Sequence, residues 1–187
     1  MLMSKGGAKL LISGLENTGK TSLLKSLPPE ETFVIAVDEK EFKLPLPHSN
    51  VFGFESMDEF INGAEYLDEE SGETVRVEGI YDKLDKFVAL KGKLPRFLVI
   101  DTVSRANMIA YDNLNATTND NFKLYAALDK EISIFRDMIS KVNQNGISLI
   151  LISHAMYDEK QGKFRLTGSG KFAKSGGFAS TVNVSAA

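Results

Sequence analysis

The chain has 187 residues, 43% of them apolar and 25% charged, which suits one domain with one buried core. Its formal net charge of −3 neither requires nor excludes a polyanionic partner. It has no cysteine, so a disulfide framework, a thiol nucleophile and a cysteine-ligated metal are excluded, and its two histidines, His48 and His154, are too far apart in sequence to suggest a zinc site.

The opening residues Met1–Gly7 lack the apolar core of a signal peptide, and the longest apolar stretch, around Ile147 to Ile152, is too short to span a bilayer. A cytoplasmic, reducing compartment is expected. The first predicted strand is Ala8–Ser13, and a helix from about Thr21 to Leu27 ends at Pro28-Pro29. A second strand, Thr32–Asp38, is followed by a long connection over residues 40–95. Within it, Glu55 to Glu73 contains no basic residue and reads as a solvated helix and turn, and an amphipathic segment lies near Ile80–Leu90. The third strand is Phe97–Asp101, and the asparagine-rich stretch Asp112–Asn121 reads as an exposed loop. From about Asn121 to Asn143, Tyr125, Leu128, Ile132, Phe135, Ile139 and Val142 recur at spacings of three and four, so the spacing predicts a long helix that Asn145-Gly146 terminates. Strands at Ile147–Ser153 and Ser180–Ala186 complete five apolar runs. Strands alternating with helical segments predict an α/β domain, 1–187, whose parallel sheet is covered on both faces.

Between the first strand and first helix, Gly14-Leu-Glu-Asn-Thr-Gly19-Lys20-Thr21 matches G-x-x-x-x-G-K-[ST] in full. Such a loop wraps backbone amides around phosphate oxygens, and glycine permits the dihedrals and the close approach this needs. Gly14, Glu16, Asn17, Thr18, Gly19, Lys20, Thr21 and Ser22 are therefore the candidate nucleotide contacts. Lys20 is placed for the β- and γ-phosphates of ATP, and the Thr21 hydroxyl for a Mg2+ ion. A second cluster, Gly168-Ser-Gly170-Lys171, fails as a phosphate loop, because Arg165 stands where the first glycine belongs and Phe172 where a hydroxyl is needed. Phe97-Leu-Val-Ile-Asp101 delivers a carboxylate to the carboxyl edge of the sheet, where ligands of open α/β sheets sit, so Asp101 is the candidate second magnesium holder.

These segments resemble the RecA family. Phe97-Leu-Val-Ile-Asp-Thr-Val-Ser104 is similar to that family's second nucleotide motif, and Val34-Ile-Ala-Val-Asp-Glu39 to the segment whose strand ends in a catalytic glutamate. The resemblance thus implies Glu39 as catalytic carboxylate, with Asp38 its rival in the cluster Asp38–Glu41. Leu151-Ile-Ser-His154 is similar to the fourth strand, whose terminal residue senses the γ-phosphate; that residue is usually glutamine, and His154 departs from it. Ser169 to Ala187, with Gly176-Gly177, is similar to the end of a mobile DNA-binding loop and the strand after it. The implied fold is a RecA-like P-loop NTPase with a mostly parallel five-strand core in the order 5-1-4-3-2. The implied relatives are compact phage RecA-like ATPases associated with single-strand annealing, which would work in the host cytoplasm. Only eight residues precede Lys9, so the expectation is a core domain without the amino-terminal segment with which RecA builds filaments.

Residues 155–178 carry Lys160, Lys163, Arg165, Lys171 and Lys174 against Asp158 and Glu159, a net charge of +3. Gly162, Gly168, Gly170, Gly176 and Gly177 predict a mobile segment, and Phe164 and Phe172 offer stacking surfaces. Basic residues interleaved with aromatics suit single-stranded DNA. Lys171 or Lys174 could instead reach a neighbouring subunit's γ-phosphate in a homo-oligomer with ATP at its boundary. A small phosphotransferase fits less well, since the chain has five unclustered arginines. A GTPase is disfavoured by the lack of Asn-Lys-x-Asp and by Ser104 where an Asp-x-x-Gly switch needs glycine. A nucleotide switch or loader that acts through a protein partner is the remaining alternative.

Overall fold

The structure, a computed structural model, describes residues 6–37, 42–159, 163–166 and 184–186. Strand β1 (Lys9–Gly14) leads through the glycine loop into a 3-10 helix (Thr21–Ser26), and a second 3-10 turn (Pro29–Glu31) precedes β2 (Thr32–Ala36). The long connection then holds β3 (His48–Asn50), α1 (Met57–Asn62), a hairpin of β4 (Ala64–Leu67) and β5 (Thr74–Val77), and α2 (Ile80–Lys91). Strand β6 (Phe97–Asp101) is followed by α3 (Val103–Thr117) and α4 (Asn121–Gln144), then by β7 (Ser148–Asp158), β8 (Lys163–Leu166) and β9 (Val184–Ala186).

The main sheet runs β3-β2-β6-β7-β1-β9, every neighbouring pair parallel, and β8 joins antiparallel to the end of β7. The strands β9-β1-β7-β6-β2 reproduce the expected order 5-1-4-3-2. Strand β3 extends this core by one, its His48 in register with Val34.

Alternation along the strands sorts the core into two layers. Phe33, Ile35, Val37, Leu98, Ile100, Leu149 and Leu151 face one cluster, which α1, α2, α3 and α4 cover with Phe60, Phe87, Ala106 and Phe135. Val34, Val99, Ile150 and Ile152 face the other, which is covered by Leu24 of the 3-10 helix and by Phe42, Leu44 and Leu46. The α-helices thus lie on one face, and the short 3-10 helix with residues 42–46 closes the opposite one. Val34, Ile35, Leu98, Val99, Ile100, Leu149 and Leu151 have 0% exposure. Each such burial contributes roughly 1.5–3 kcal/mol before chain entropy is set against it. The carboxyl ends of the central strands are therefore held on a rigid frame.

Several segments differ from their sequence expectation: within Glu55 to Glu73, read as a solvated helix and turn, α1 buries Met57, Phe60 and Ile61 and strand β4 follows it. Asp112–Thr117 continues α3 as helix, because Val103, Ala106 and Ala110 anchor it and Asn113 Nδ2 donates to the Glu55 carbonyl at 3.2 Å. The helix after the glycine loop is 3-10: Ser22 N bonds to Gly19 O at 2.9 Å and Leu23 N to Lys20 O at 3.1 Å. Its six residues end at Ser26, because the next residue, Leu27, must be extended before Pro28 and has φ −82° and ψ 142°. Strand β7 does not stop at Ser153 but runs on to Asp158, because β8 supplies a partner for its last residues.

Candidate functional site

Parallel register brings three strand ends together. Gly14, the last residue of β1, is level with His154 of β7, and Asp101, the last of β6, is level with Ile152. Val37 N donates to the Asp101 carbonyl at 2.7 Å, so the end of β2 is tied to the same edge. The loop between Gly14 and Lys20 takes left-handed backbone at Asn17 (φ 59°) and Gly19 (φ 83°). A Cβ at Gly19 would meet nothing within 4 Å, so its glycine is needed for the dihedral and not for space. The Thr18 hydroxyl donates to the Leu15 carbonyl at 2.7 Å and steadies the turn.

Lys20 folds back across this loop. Its Nζ donates to the carbonyls of Gly14 at 2.9 Å and Leu15 at 2.6 Å, and the residue is only 8% exposed. Burial pushes its pKa below the usual lysine value, opposed by the negative charges of Asp101 and Glu16. An ammonium desolvated in this way gains more from an arriving polyanion than one already hydrated. Since the 3-10 helix is short, the loop amides and Lys20 are the main source of positive potential here.

Beside it, the Thr21 hydroxyl donates to Asp101 Oδ2 at 2.8 Å. These residues are 80 apart in sequence and meet because β1 and β6 flank β7. A hydroxyl and a carboxylate side by side form a hard-oxygen donor pair, which suits magnesium shared with phosphates and water. The peptide after Asp101 is cis. Ser104, buried in the first turn of α3, accepts from His154 N at 3.1 Å and donates to Thr102 Oγ1 at 3.2 Å.

A family model described as an AAA domain matches residues 6–174. The chain belongs to the AAA domain family. It is therefore a P-loop domain of the nucleotide-binding, ATPase type. No curated protein matches the chain. Among the described residues, no helix is long and apolar enough to cross a membrane.

Of the residues singled out in the sequence, Gly14, Glu16, Asn17, Thr18, Gly19, Lys20, Thr21, Ser22, Asp101 and His154 gather at this edge. Glu39 and Asp38 lie outside the described residues, as do Lys160, Lys171 and Lys174. Lys163 and Arg165 lie on β8, level with Asp158 and Met156 of β7. His48 is away from the site on β3, its Nδ1 3.0 Å from the Leu46 carbonyl. In the sequence Ser104 stands as the end of the segment resembling the second nucleotide motif and as a missing glycine; nothing in its spacing signals that its hydroxyl would reach another strand.

Proposed function

We propose that the protein binds ATP with magnesium, hydrolyses it, and couples that cycle to single-stranded DNA in recombination, annealing or replication. The observation that carries this reading is the Thr21–Asp101 hydrogen bond beside the buried Lys20. It supports a magnesium site because it puts a hydroxyl and a carboxylate next to the glycine loop. In this reading the whole chain is one nucleotide-binding domain in the cytoplasm, that of the host if the protein is phage-encoded.

The amides of residues 14–22 cradle the phosphates, with Glu16, Asn17, Thr18 and Ser22 lining the loop. Lys20 neutralises the β- and γ-phosphates. Thr21 and Asp101 hold the magnesium, which when bound draws charge off the γ-phosphate. Glu39 accepts a proton from the attacking water, supported by the tether of Val37 to Asp101, which starts the segment containing Glu39 at the site. His154, level with Gly14 at this edge, takes the role of sensing the γ-phosphate in this reading. Beyond it β7 continues into its pairing with β8, and Lys160, Lys163, Arg165, Lys171 and Lys174 supply contacts to a single strand or to a neighbouring subunit.

Turnover of ATP by wild type and Lys20→Ala, with and without magnesium and single-stranded DNA, tests this reading. The variant should lose magnesium-dependent hydrolysis and keep its fold by circular dichroism. Undiminished turnover in a folded Lys20→Ala protein rejects the site. Turnover that DNA never affects, with no DNA affinity at low salt, leaves a nucleotide switch in place of a DNA-coupled ATPase.

A further inference from the structure

Strand β6 ends at Asp101, level with Ile152, whereas β7 runs on to Asp158. The β6–β7 pairing ends at Asp101 and Ile152, so β6 offers the His154 backbone no partner. A backbone N–H in such a place needs an acceptor, since a buried orphan costs about as much as a lost hydrogen bond. The His154 N–H finds one in Ser104 Oγ at 3.1 Å. Ser104 is 7% exposed and sits in the first turn of α3. Its single hydroxyl proton goes to Thr102 Oγ1 at 3.2 Å. Thr102 is the residue after Asp101 and also caps α3 by accepting from Arg105 N at 3.3 Å.

One hydroxyl therefore joins two chain segments that the sheet itself no longer joins. On one side is the peptide carrying Asp101, the acceptor of the Thr21 hydroxyl. On the other is the residue of β7 that is level with Gly14 and begins the extension paired with β8.

We propose that Ser104 is a positioning residue that carries rearrangement at Asp101 into β7 at His154, and so into the β7–β8 pair. This rests on the reading of the site as one for ATP and magnesium. When a metal draws on Asp101 and Thr21, the Asp101–Thr102 backbone adjusts. The cap at Thr102 and the Ser104 hydroxyl move with it, and the His154 amide follows its acceptor. A serine that merely satisfied a buried amide would hold His154 equally well with or without nucleotide.

Residue-resolved amide hydrogen exchange, with magnesium and a non-hydrolysable ATP analogue, separates these roles. In wild type the analogue should slow exchange of the amides in 14–22, and slow the His154 amide about five- to tenfold, the scale of one hydrogen bond. In Ser104→Ala the protection of 14–22 should remain while the response at His154 and along 155–158 is lost. Ser104→Thr, which keeps the hydroxyl, should restore it. A full response in Ser104→Ala overturns the proposal alone, as does a wild-type His154 amide that ignores the analogue. Absent protection of 14–22 in wild type removes the nucleotide reading, and this proposal with it. If Ser104→Ala does not fold, Ser104→Cys, with its weaker donor and acceptor, should show a reduced response. An undiminished response there overturns the proposal.

Discussion

Lys20 spends its donors on the carbonyls of Gly14 and Leu15, inside the loop whose amides are offered to phosphate. On the proposed function, a phosphate entering the loop would replace these carbonyls as acceptor of the lysine's donors. The task proposed for Glu39 is different. A general base contributes to the rate and little to affinity, so on that proposal Glu39→Gln should bind ATP normally and hydrolyse it at least about a hundredfold more slowly. Single-turnover measurement of Glu39→Gln checks this, with Asp38→Asn as control; a larger loss at Asp38 would move the catalytic role one residue back. The glycine loop was legible as a motif because its pattern is confined to eight consecutive residues. The position of Asp101 at the sheet edge was legible because an apolar strand ending in a carboxylate is a local pattern. Ser104 was not, because its partners His154 and Thr102 lie on two different elements and only the register of β6 and β7 brings them together.

Among the elements, a long buried stripe announced itself, whereas the shorter buried faces of α1 and α3 did not. The long helix α4 buries Leu124, Leu128, Ile132, Phe135, Met138, Ile139 and Val142, and the spacing predicted its bounds nearly to the residue, although Tyr125, counted in the stripe, is exposed. By contrast β4 and β5 are largely exposed on both faces, with Leu67 and Val75 among the exposed apolar residues, so no alternation marks them. Strand β3 is the polar triplet His48-Ser-Asn50, recognisable only from its pairing with β2. One contact between elements carries a pH dependence. Glu131 of α4 accepts from Met57 N at 2.5 Å, at the start of α1. Burial pushes its pKa up, against the lowering effects of that bond and of Lys130 and with a further push from Asp58 and Glu59. A carboxyl raised on folding stabilises fully below its unfolded pKa, and that contribution is lost as pH rises through the folded value. Glu131→Gln keeps the acceptor without the charge. It should therefore be at least as stable as wild type at pH 7, with the difference vanishing below the ordinary value of 4.5. Glu131→Ala strands the Met57 amide and should cost about 1–3 kcal/mol at either pH. Urea unfolding at the two pH values measures both.

For the molecule as a whole, charge is unevenly spread: residues 55–73 hold eight acids and no base, while 155–178 carry a net +3. If Lys160, Lys163, Arg165, Lys171 and Lys174 contact a single strand, log affinity should fall linearly with log salt. Each neutralised phosphate adds roughly 0.7 to the slope, so Lys163→Ala with Lys171→Ala should flatten it by about 1.4. A slope unchanged by the pair, together with reduced hydrolysis, would place those lysines at a neighbouring subunit's nucleotide instead. The acidic end has its own geometry. The chain enters the β4–β5 hairpin at Gly63 and leaves it at Gly79, and a Cβ on Gly79 would lie 2.3 Å from Gly63 N. Entry and exit are thus one point in space. The Arg76 guanidinium fastens that base to Asp82 at 2.9 Å and to the Asn62 carbonyl at 3.1 Å. An appendage attached at a single point can be lengthened, swapped or given a dye at Ser71-Gly72 without altering the path of the chain on either side. The hairpin is therefore the natural handle by which to tether this protein to a surface, or to watch one copy at a time.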